Sequence, residues 1–135
     1  MISQYLFYGA LGVFALRVAI AAVLVVHGWA KIRNIKGTSE WFASIGFKPG
    51  KLFAMLAAAV EFFGGILLLV GFLTQTVALL VALEFVVILV WRFSKKSPFV
   101  GGWEIDLLIL GGVIALFFLG GGAYALDKIF FLGLI

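Results

Sequence analysis

Four long apolar stretches, separated by short polar segments, dominate the pattern of the chain. Each is close to the roughly 20 residues that a helix needs to cross the hydrocarbon of a bilayer. The first stretch has no basic n-region and carries Arg17 in its middle, so we expect a span rather than a cleaved signal peptide. The pattern predicts an all-α membrane protein, a four-helix bundle forming one domain over residues 1–135. Its predicted spans are residues 6–30, 52–73, 76–93 and 105–122.

The composition supports the same class and limits the chemistry. Hydrophobic residues make up 65% of the 135 residues and charged residues only 12%, which is too apolar for a water-soluble surface. A chain of this length has no room for a separate soluble catalytic module beside four spans. The chain contains no cysteine, which excludes disulfides and thiolate chemistry by this chain.

The basic residues are concentrated in two of the three loops between the predicted spans. The short turn at residues 73–76 carries no charge. By the positive-inside rule, both basic loops are expected to be cytoplasmic, with both termini outside, in the inner membrane of a cell. Anionic lipid headgroups are then the expected partner of these cations, and nucleic acid is not. The residues concerned are Lys31, Arg33, Lys36, Lys48 and Lys51 in the first loop, and Arg92, Lys95 and Lys96 in the last.

The first loop and the last segment also carry apolar side chains. Residues 34–51 place aromatic residues among charges, which predicts a short amphipathic interfacial helix in this loop. Residues 123–135 are too short for a fifth span, so we expect them at the interface or packed on the bundle. The tryptophans fall near span boundaries, and we expect them to anchor the protein rather than to contact a ligand. They are Trp29, Trp41, Trp91 and Trp103.

Six ionisable residues within or beside the apolar stretches are the candidate site residues, because hydrocarbon tolerates such groups poorly. At 1.5 Å per residue, Glu61 and Glu84 lie about 13 Å from the expected cytoplasmic ends of their helices, close to the membrane midplane. Arg17 is within reach of the same plane. The sequence therefore predicts a deep layer of Arg17, Glu61 and Glu84, and a shallower layer of His27, Glu104 and Asp106.

The sequence alone leaves the role of the deep layer open. Arg17 could form a structural ion pair with one or both glutamates. The same charges could instead line a cavity that binds a polar or quinone-like ligand, or relays protons. Glu84 could also be neutral, because burial disfavours the charged form of a carboxyl group.

His27 is the only histidine. A metal or haem site would need more ligands than one histidine provides, so we expect no metal and no intrinsic cofactor. His27 could hydrogen-bond near Glu104 or Asp106, or face lipid headgroups.

Several motifs together resemble the DoxX/DoxD-like membrane proteins. The resemblance extends over most of the chain, with Ala125 standing where the family pattern often has serine. It implies a four-helix membrane bundle and marks Gly28, Lys31, Gly64, Gly65 and Asp127 as motif residues. The matching elements, in order, are Arg17, the His27-Gly28-Trp29-Ala30-Lys31 run, the Glu61-Phe62-Phe63-Gly64-Gly65 run with residues 67–71 and Thr74, then Glu104 and residues 120–127.

The resemblance also implies a function. Some relatives are associated with quinone-linked sulfur oxidation, including the membrane subunit of thiosulfate:quinone oxidoreductase. We therefore expect a redox-associated role facing a quinone, with a cytoplasmic or membrane redox protein as partner. The chain could also form a homo-oligomer. The alternative is a non-enzymatic membrane scaffold or assembly factor, in which the buried charges only hold helices together.

Overall fold

The computed structural model describes residues 1–130 and shows an all-α membrane bundle with no strand in that part of the chain. Four helices are long and apolar enough to cross a membrane, as predicted, and the last of these spans, Phe99–Leu119, includes the π-type turn Phe99–Trp103. The grouping of the whole chain into one domain stays a prediction. The helices are α1 Ile2–Arg33, α2 Ile35–Ser44, α3 Gly50–Val70, α4 Thr74–Ser94, α5 Glu104–Leu119 and α6 Leu126–Phe130.

The spans alternate in direction and so define two ends of the bundle. We call one the basic end: α1 and α4 finish there, α3 and α5 begin there, and α2 lies there. We call the other the turn end; it holds the α3–α4 turn, the end of α5 and α6. The apolar core between the spans includes Leu24, Leu68, Val81 and Leu116, all fully buried.

Helices α1 and α3 approach each other closely because glycines remove side chains from their interface. A Cβ atom on Gly28 would overlap the backbone nitrogen of Phe62, and one on Gly65 would lie 3.0 Å from the backbone nitrogen of Val25. Small residues permit this kind of close approach between membrane helices. The two glycines therefore fix the level at which α1 meets α3.

The predicted interfacial helix exists as α2, but it packs on the bundle. Gly50, the first residue of α3, lies so close to α2 that an added Cβ would overlap the carbonyl oxygen of Ser39. At the other edge of α2, the ring of Trp41 packs edge to face on Trp91 of α4, with centroids 5.4 Å apart. Helix α2 therefore connects α3 to α4 at the basic end.

At the turn end, Gly71 ends α3 with φ 72°, in the left-handed region that glycine favours. The segment after α5 packs on this turn: the backbone N–H of Asp127 donates to the carbonyl of Gly71 at 2.9 Å. The predicted packing of residues 123–135 on the bundle is thus found for residues 123–130. Residues 131–135 lie outside the described residues.

Candidate functional site

Arg17 lies fully buried at the turn end and binds backbone carbonyls. Its Nη1 donates to the carbonyl oxygens of Leu68 and Leu69 at 2.8 and 2.9 Å, and its Nη2 donates to that of Tyr124 at 2.7 Å. The carbonyls in the last turn of a helix lack intrahelical donors and carry partial negative charge. Arg17 therefore caps the end of α3 and connects it to the segment after α5.

Asp127 serves the next helix in the same region. Its carboxylate accepts hydrogen bonds from the backbone N–H groups of Leu73 and Thr74, at 2.6 and 2.9 Å. These are donors at the start of α4, which begins with no cap from its own sequence. Asp127 also attracts Arg17 electrostatically. The motif residue Asp127 is thus a helix cap supplied from a distant part of the chain.

The predicted deep layer of Arg17, Glu61 and Glu84 is wrong for Arg17, whereas Glu61 and Glu84 line one cavity, described below. Arg17 binds carbonyls at the turn end, and the cation beside Glu61 is Lys31, whose Nζ lies 2.5 Å from Glu61 Oε2. The structural reason is that the carbonyls of Leu68 and Leu69 at the end of α3 lie close to the level of Arg17 and accept from its guanidinium. Arg17 therefore holds the end of α3 to the segment after α5.

The pairing of Lys31 with Glu61 follows from the glycine contacts between α1 and α3. Lys31 lies about one turn beyond Gly28 towards the basic end, and Glu61 lies about one turn before Gly65 on the antiparallel helix α3. Sequence reasoning missed the pair because it counted Lys31 as a loop residue. The signal was present: each motif joins a helix-contact glycine to a charge three or four positions away.

A cavity of about 570 Å³ occupies the basic half of the bundle. Residues from all of α1 to α5 contribute to its wall, which is mostly apolar. This volume lies within the range of about 300–1,000 Å³ typical of small-molecule sites. The aromatic residues in the wall are Trp41, Phe42, Phe47, Phe53, Phe85 and Trp91, and the ionisable ones are His27, Lys31, Glu61, Glu84, Arg92 and Asp106.

Several polar atoms in this wall have no hydrogen-bond partner among residues 1–130. Glu84 Oε2 and Trp91 Nε1 are both buried and unpartnered. Arg92 Nε and Asp106 Oδ2 lie 2.5 Å apart and form an ion pair between α4 and α5, but the N–H is not directed at the oxygen. Buried polar groups are normally hydrogen-bonded, because leaving one unsatisfied costs about 1–3 kcal/mol. Their concentration here indicates a site for a polar ligand group or water.

The predicted shallow layer of His27, Glu104 and Asp106 lies at the basic end, but no hydrogen bond or ion pair joins the three to one another among residues 1–130. Glu104 Oε1 accepts from the backbone N–H of Gly101 at 3.0 Å and stabilises the turn before α5. His27 lines the same cavity as Asp106, but its Nδ1 donates to the carbonyl of Val23 at 2.8 Å. This bond leaves Nε2 as the ring atom open to another partner. Each of the three therefore has a separate local role.

Two of the four tryptophans lie outside the cavity and two line it, while anchoring of all four stays a prediction. Trp29 packs on Phe62, and Trp103 packs on Phe93 and Phe99, outside the cavity wall. Trp41 and Trp91 instead pack on each other and line the cavity, so anchoring alone does not explain their positions.

Within the described part of the chain, no group of three His, Cys, Asp or Glu residues could hold a metal ion.

Comparison with known proteins agrees with this architecture. The family model described as DoxX matches residues 12–93, which include most of α1, all of α2 and α3, and α4 except its last residue. The chain belongs to the DoxX family. The DoxX match contains Arg17, Lys31, Glu61 and Glu84, whereas Asp106 and Asp127 lie beyond it.

Curated relatives extend the DoxX similarity over most of the chain. "Putative oxidoreductase CatD" of Bacillus subtilis is 35% identical over 123 residues, covering 91% of this chain and 90% of that protein. "Inner membrane protein YqjF" of Escherichia coli is 33% identical, covering 87% and 91%. "Inner membrane protein YphA" of Escherichia coli is 28% identical, covering 83% and 85%. No solved structure matches. The chain is an integral multi-pass membrane protein.

Proposed function

We propose that the cavity binds a lipophilic, quinone-type molecule and that the chain is the membrane subunit of a redox system. The observation that carries this proposal is that Glu84 and Trp91, two side chains that line an apolar and aromatic cavity in the membrane bundle, carry buried polar atoms with no hydrogen-bond partner among residues 1–130. A ligand that dissolves in lipid and carries oxygen atoms matches both properties.

The wall suits a planar ring with oxygen substituents. Trp41, Phe85 and Trp91 offer aromatic surfaces on which such a ring can pack. The unpartnered Trp91 N–H can donate to a ring oxygen, and the unpartnered Glu84 carboxyl oxygen can accept from a ring hydroxyl or donate when protonated. A ring oxygen at each position would satisfy groups that no side chain of residues 1–130 satisfies.

Electron transfer then requires a second protein. One histidine and no cysteine give the chain few ligands for a redox centre, so we assign that centre to a membrane or cytoplasmic partner. The name of the similar Bacillus subtilis protein, "Putative oxidoreductase CatD", supports the redox part of the proposal. Glu61 and Glu84 would exchange protons with the ligand, and His27 would orient it. Arg17 takes no part in this scheme.

We place the basic end of the bundle in the cytoplasm. Cations without an acidic partner among residues 1–130, including Lys36, Lys48, Lys95 and Lys96, lie there, and the α3–α4 turn has no charge at its tip. The positive-inside rule assigns such an end to the cytoplasm. Membrane vesicles of known orientation test this: Lys95→Cys should be labelled from the cytoplasmic side and Ala123→Cys from the other.

Ligand binding can be tested with the full chain in lipid nanodiscs. Decylubiquinone should quench tryptophan fluorescence saturably, because Trp41 and Trp91 line the cavity. The variant Ala57→Leu adds bulk inside the cavity and should weaken binding about tenfold, equivalent to about 1.4 kcal/mol. Ala59→Leu makes the same change on the exposed face of α3 and should bind like the unmodified chain.

Two results would contradict the proposal. Quenching that does not saturate would indicate partition into lipid only, and equal effects of the two variants would place binding outside the cavity. Either result would support the alternative hypothesis of a non-enzymatic membrane scaffold, in which the buried charges hold helices together. Native mass spectrometry in mild detergent would report retained small molecules and copy number in one measurement.

A further inference from the structure

A second, smaller cleft lies beside the cavity at the basic end. It has a volume of about 350 Å³ and is lined by Lys31, Asn34, Gly37, Thr38 and Trp41, around the start of α2. Two of these residues, Lys31 and Trp41, also line the large cavity. The two side chains therefore lie between a space inside the bundle and an open space bordered by Asn34 and the first turns of α2.

Lys31 forms one side of the boundary between these two spaces. Its amine pairs with Glu61, which is 2% exposed, while the lysine side chain itself remains 25% exposed. An ammonium group has three donors, and the structure gives Lys31 one hydrogen-bond acceptor among residues 1–130, Glu61 Oε2. The remaining donors call for water, because a charge in an apolar site without further partners is costly.

Trp41 forms the other side of the boundary. Its ring, which is 47% exposed, is held between Phe42 of its own helix and Trp91 of α4. Helix α2 is only ten residues long, and none of its residues is fully buried. The position of Trp41 thus rests mainly on contacts with other rings, which a substitution at this residue removes.

We propose that water reaches the cavity from the basic end by passing between Lys31 and Trp41. The route brings Glu61 into contact with bulk water, so that this carboxylate can exchange protons between the aqueous phase and a molecule in the cavity. A ligand hydroxyl would give its proton to a Glu61 oxygen, which would pass it to water; the electrons would go to the redox partner. Only this last step rests on the proposed function, because the water route exists without a ligand.

Three consecutive alanines in α3 allow a direct test in a chain that has no native cysteine. Ala57 lines the cavity, Ala58 is buried away from it, and Ala59 faces outwards. The charged, water-soluble thiol reagent MTSES should modify Ala57→Cys in nanodiscs. It should leave Ala58→Cys unmodified, and Ala59→Cys also if lipid covers that face. Denatured samples give the total thiol, and thermal unfolding confirms that each variant is folded.

The position of the route is tested by a substitution that should widen it. Trp41→Ala in the Ala57→Cys background should raise the MTSES rate at least several-fold. Trp103→Ala removes a tryptophan of the same end that lines neither cavity nor cleft, and should leave the rate unchanged.

Three outcomes overturn the inference. If Ala57→Cys reacts only with the neutral reagent N-ethylmaleimide, the cavity opens to lipid rather than to water. If it reacts with neither reagent, the cavity is closed. If MTSES reacts but Trp41→Ala has no more effect than Trp103→Ala, water enters elsewhere. None of these results depends on decylubiquinone binding, so failure of the water route and failure of the proposed function are distinguishable.

Discussion

The turn end and the basic half of the bundle contain similar charged residues but treat them differently. At the turn end, backbone groups hold both charges: three carbonyls bind Arg17, and two N–H groups bind Asp127. Around the cavity, the charged groups pair only with other side chains, and Glu84 Oε2 and Trp91 Nε1 have no partner among residues 1–130. Burial of a charge therefore does not identify a binding site by itself. Buried polar groups that still lack a hydrogen-bond partner are more informative.

The contrast is not absolute, since Arg17 Nε and Thr74 Oγ1 at the turn end are also unpartnered. The difference lies in the surroundings. The cavity beside Glu84 and Trp91 can accommodate a molecule, whereas Gly71, Gly121 and Ala125 fill the space around Arg17 and Thr74. Substitutions at the turn end should therefore mainly lower stability, and substitutions around the cavity should mainly change ligand binding.

The largest effect on stability is expected from Arg17→Met. The substitution removes the side-chain donor of the Leu68, Leu69 and Tyr124 carbonyls, of which Leu68 keeps the backbone N–H of Gly71, and it removes the positive charge near Asp127. Loss of one partner from a buried charged cluster typically costs about 3–5 kcal/mol. Thermal unfolding in detergent should show a large decrease in Tm. Arg33→Met at the exposed end of α1 is the control, and equal Tm values for the two variants would remove the contrast between the two regions.

A smaller loss is expected from Gly28→Ala at the α1–α3 contact. The added methyl group would overlap the Phe62 backbone, and overpacking of this kind costs about 1–3 kcal/mol. Gly111→Ala is the matched control, because open space surrounds that glycine on α5 and alanine favours helix by up to about 1 kcal/mol. Denaturant unfolding should show a lower free energy of unfolding for Gly28→Ala and a higher one for Gly111→Ala than for the unmodified chain. A stabilised Gly28→Ala would show that the close approach does not set the level of Lys31 and Glu61.

Asp127→Asn should have a moderate effect of about 1 kcal/mol, in the range of losing a helix cap. Asparagine keeps one oxygen that can accept from Leu73 or Thr74, but it loses the second acceptor and the charge beside Arg17. The variant combined with Arg17→Met should cost less than the sum of the two single changes, because the residues act as a unit. Strict additivity in unfolding measurements would contradict this coupling.

The smallest effect on stability is expected from Glu84→Gln, within about 0.5 kcal/mol. The residue has no ion pair or side-chain hydrogen bond among residues 1–130 to lose, since its Oε2 is unpartnered. Binding of the reduced form, decylubiquinol, should nevertheless weaken several-fold, because its ring hydroxyl donates more strongly to a carboxylate than to the amide oxygen of glutamine. Fluorescence titration and thermal unfolding of the same preparation test both parts. A large decrease in Tm with unchanged binding would reverse the proposed roles of the two regions.

The sequence predicted the fold because the spans are long apolar runs, and length and hydropathy determine that they cross a membrane. It also identified most of the ionisable residues now found around the cavity: His27, Glu61, Glu84 and Asp106. It could not predict the partners of Arg17, because backbone carbonyls have no signature in the residue pattern. The depth of each residue was also counted along its own helix, as if all helices ended at the same level of the membrane. This count predicted that Arg17 lies closer to the glutamates than it does.

Lys31 illustrates a different kind of error, because the information was present but was not combined. Gly28 and Lys31 on one helix, and Glu61 and Gly65 on the other, form mirrored patterns that antiparallel packing brings together. The glycines were interpreted as helix contacts and the charges as separate candidate site residues. The two patterns were therefore not connected. The cavity itself could not be predicted from the sequence, because it depends on how α1 to α5 pack against one another.

The cap that Asp127 provides has a consequence for biogenesis. The first turn of α4 receives its hydrogen-bond acceptors from a residue more than fifty positions later, so these N–H groups lack them until Asp127 has been synthesised and has reached the bundle. We expect the hairpin of α3 and α4 to enter the bilayer in an incomplete form and to gain its final order only when the ribosome has passed residue 127. Quality-control proteases would then recognise nascent chains that stop short of this aspartate.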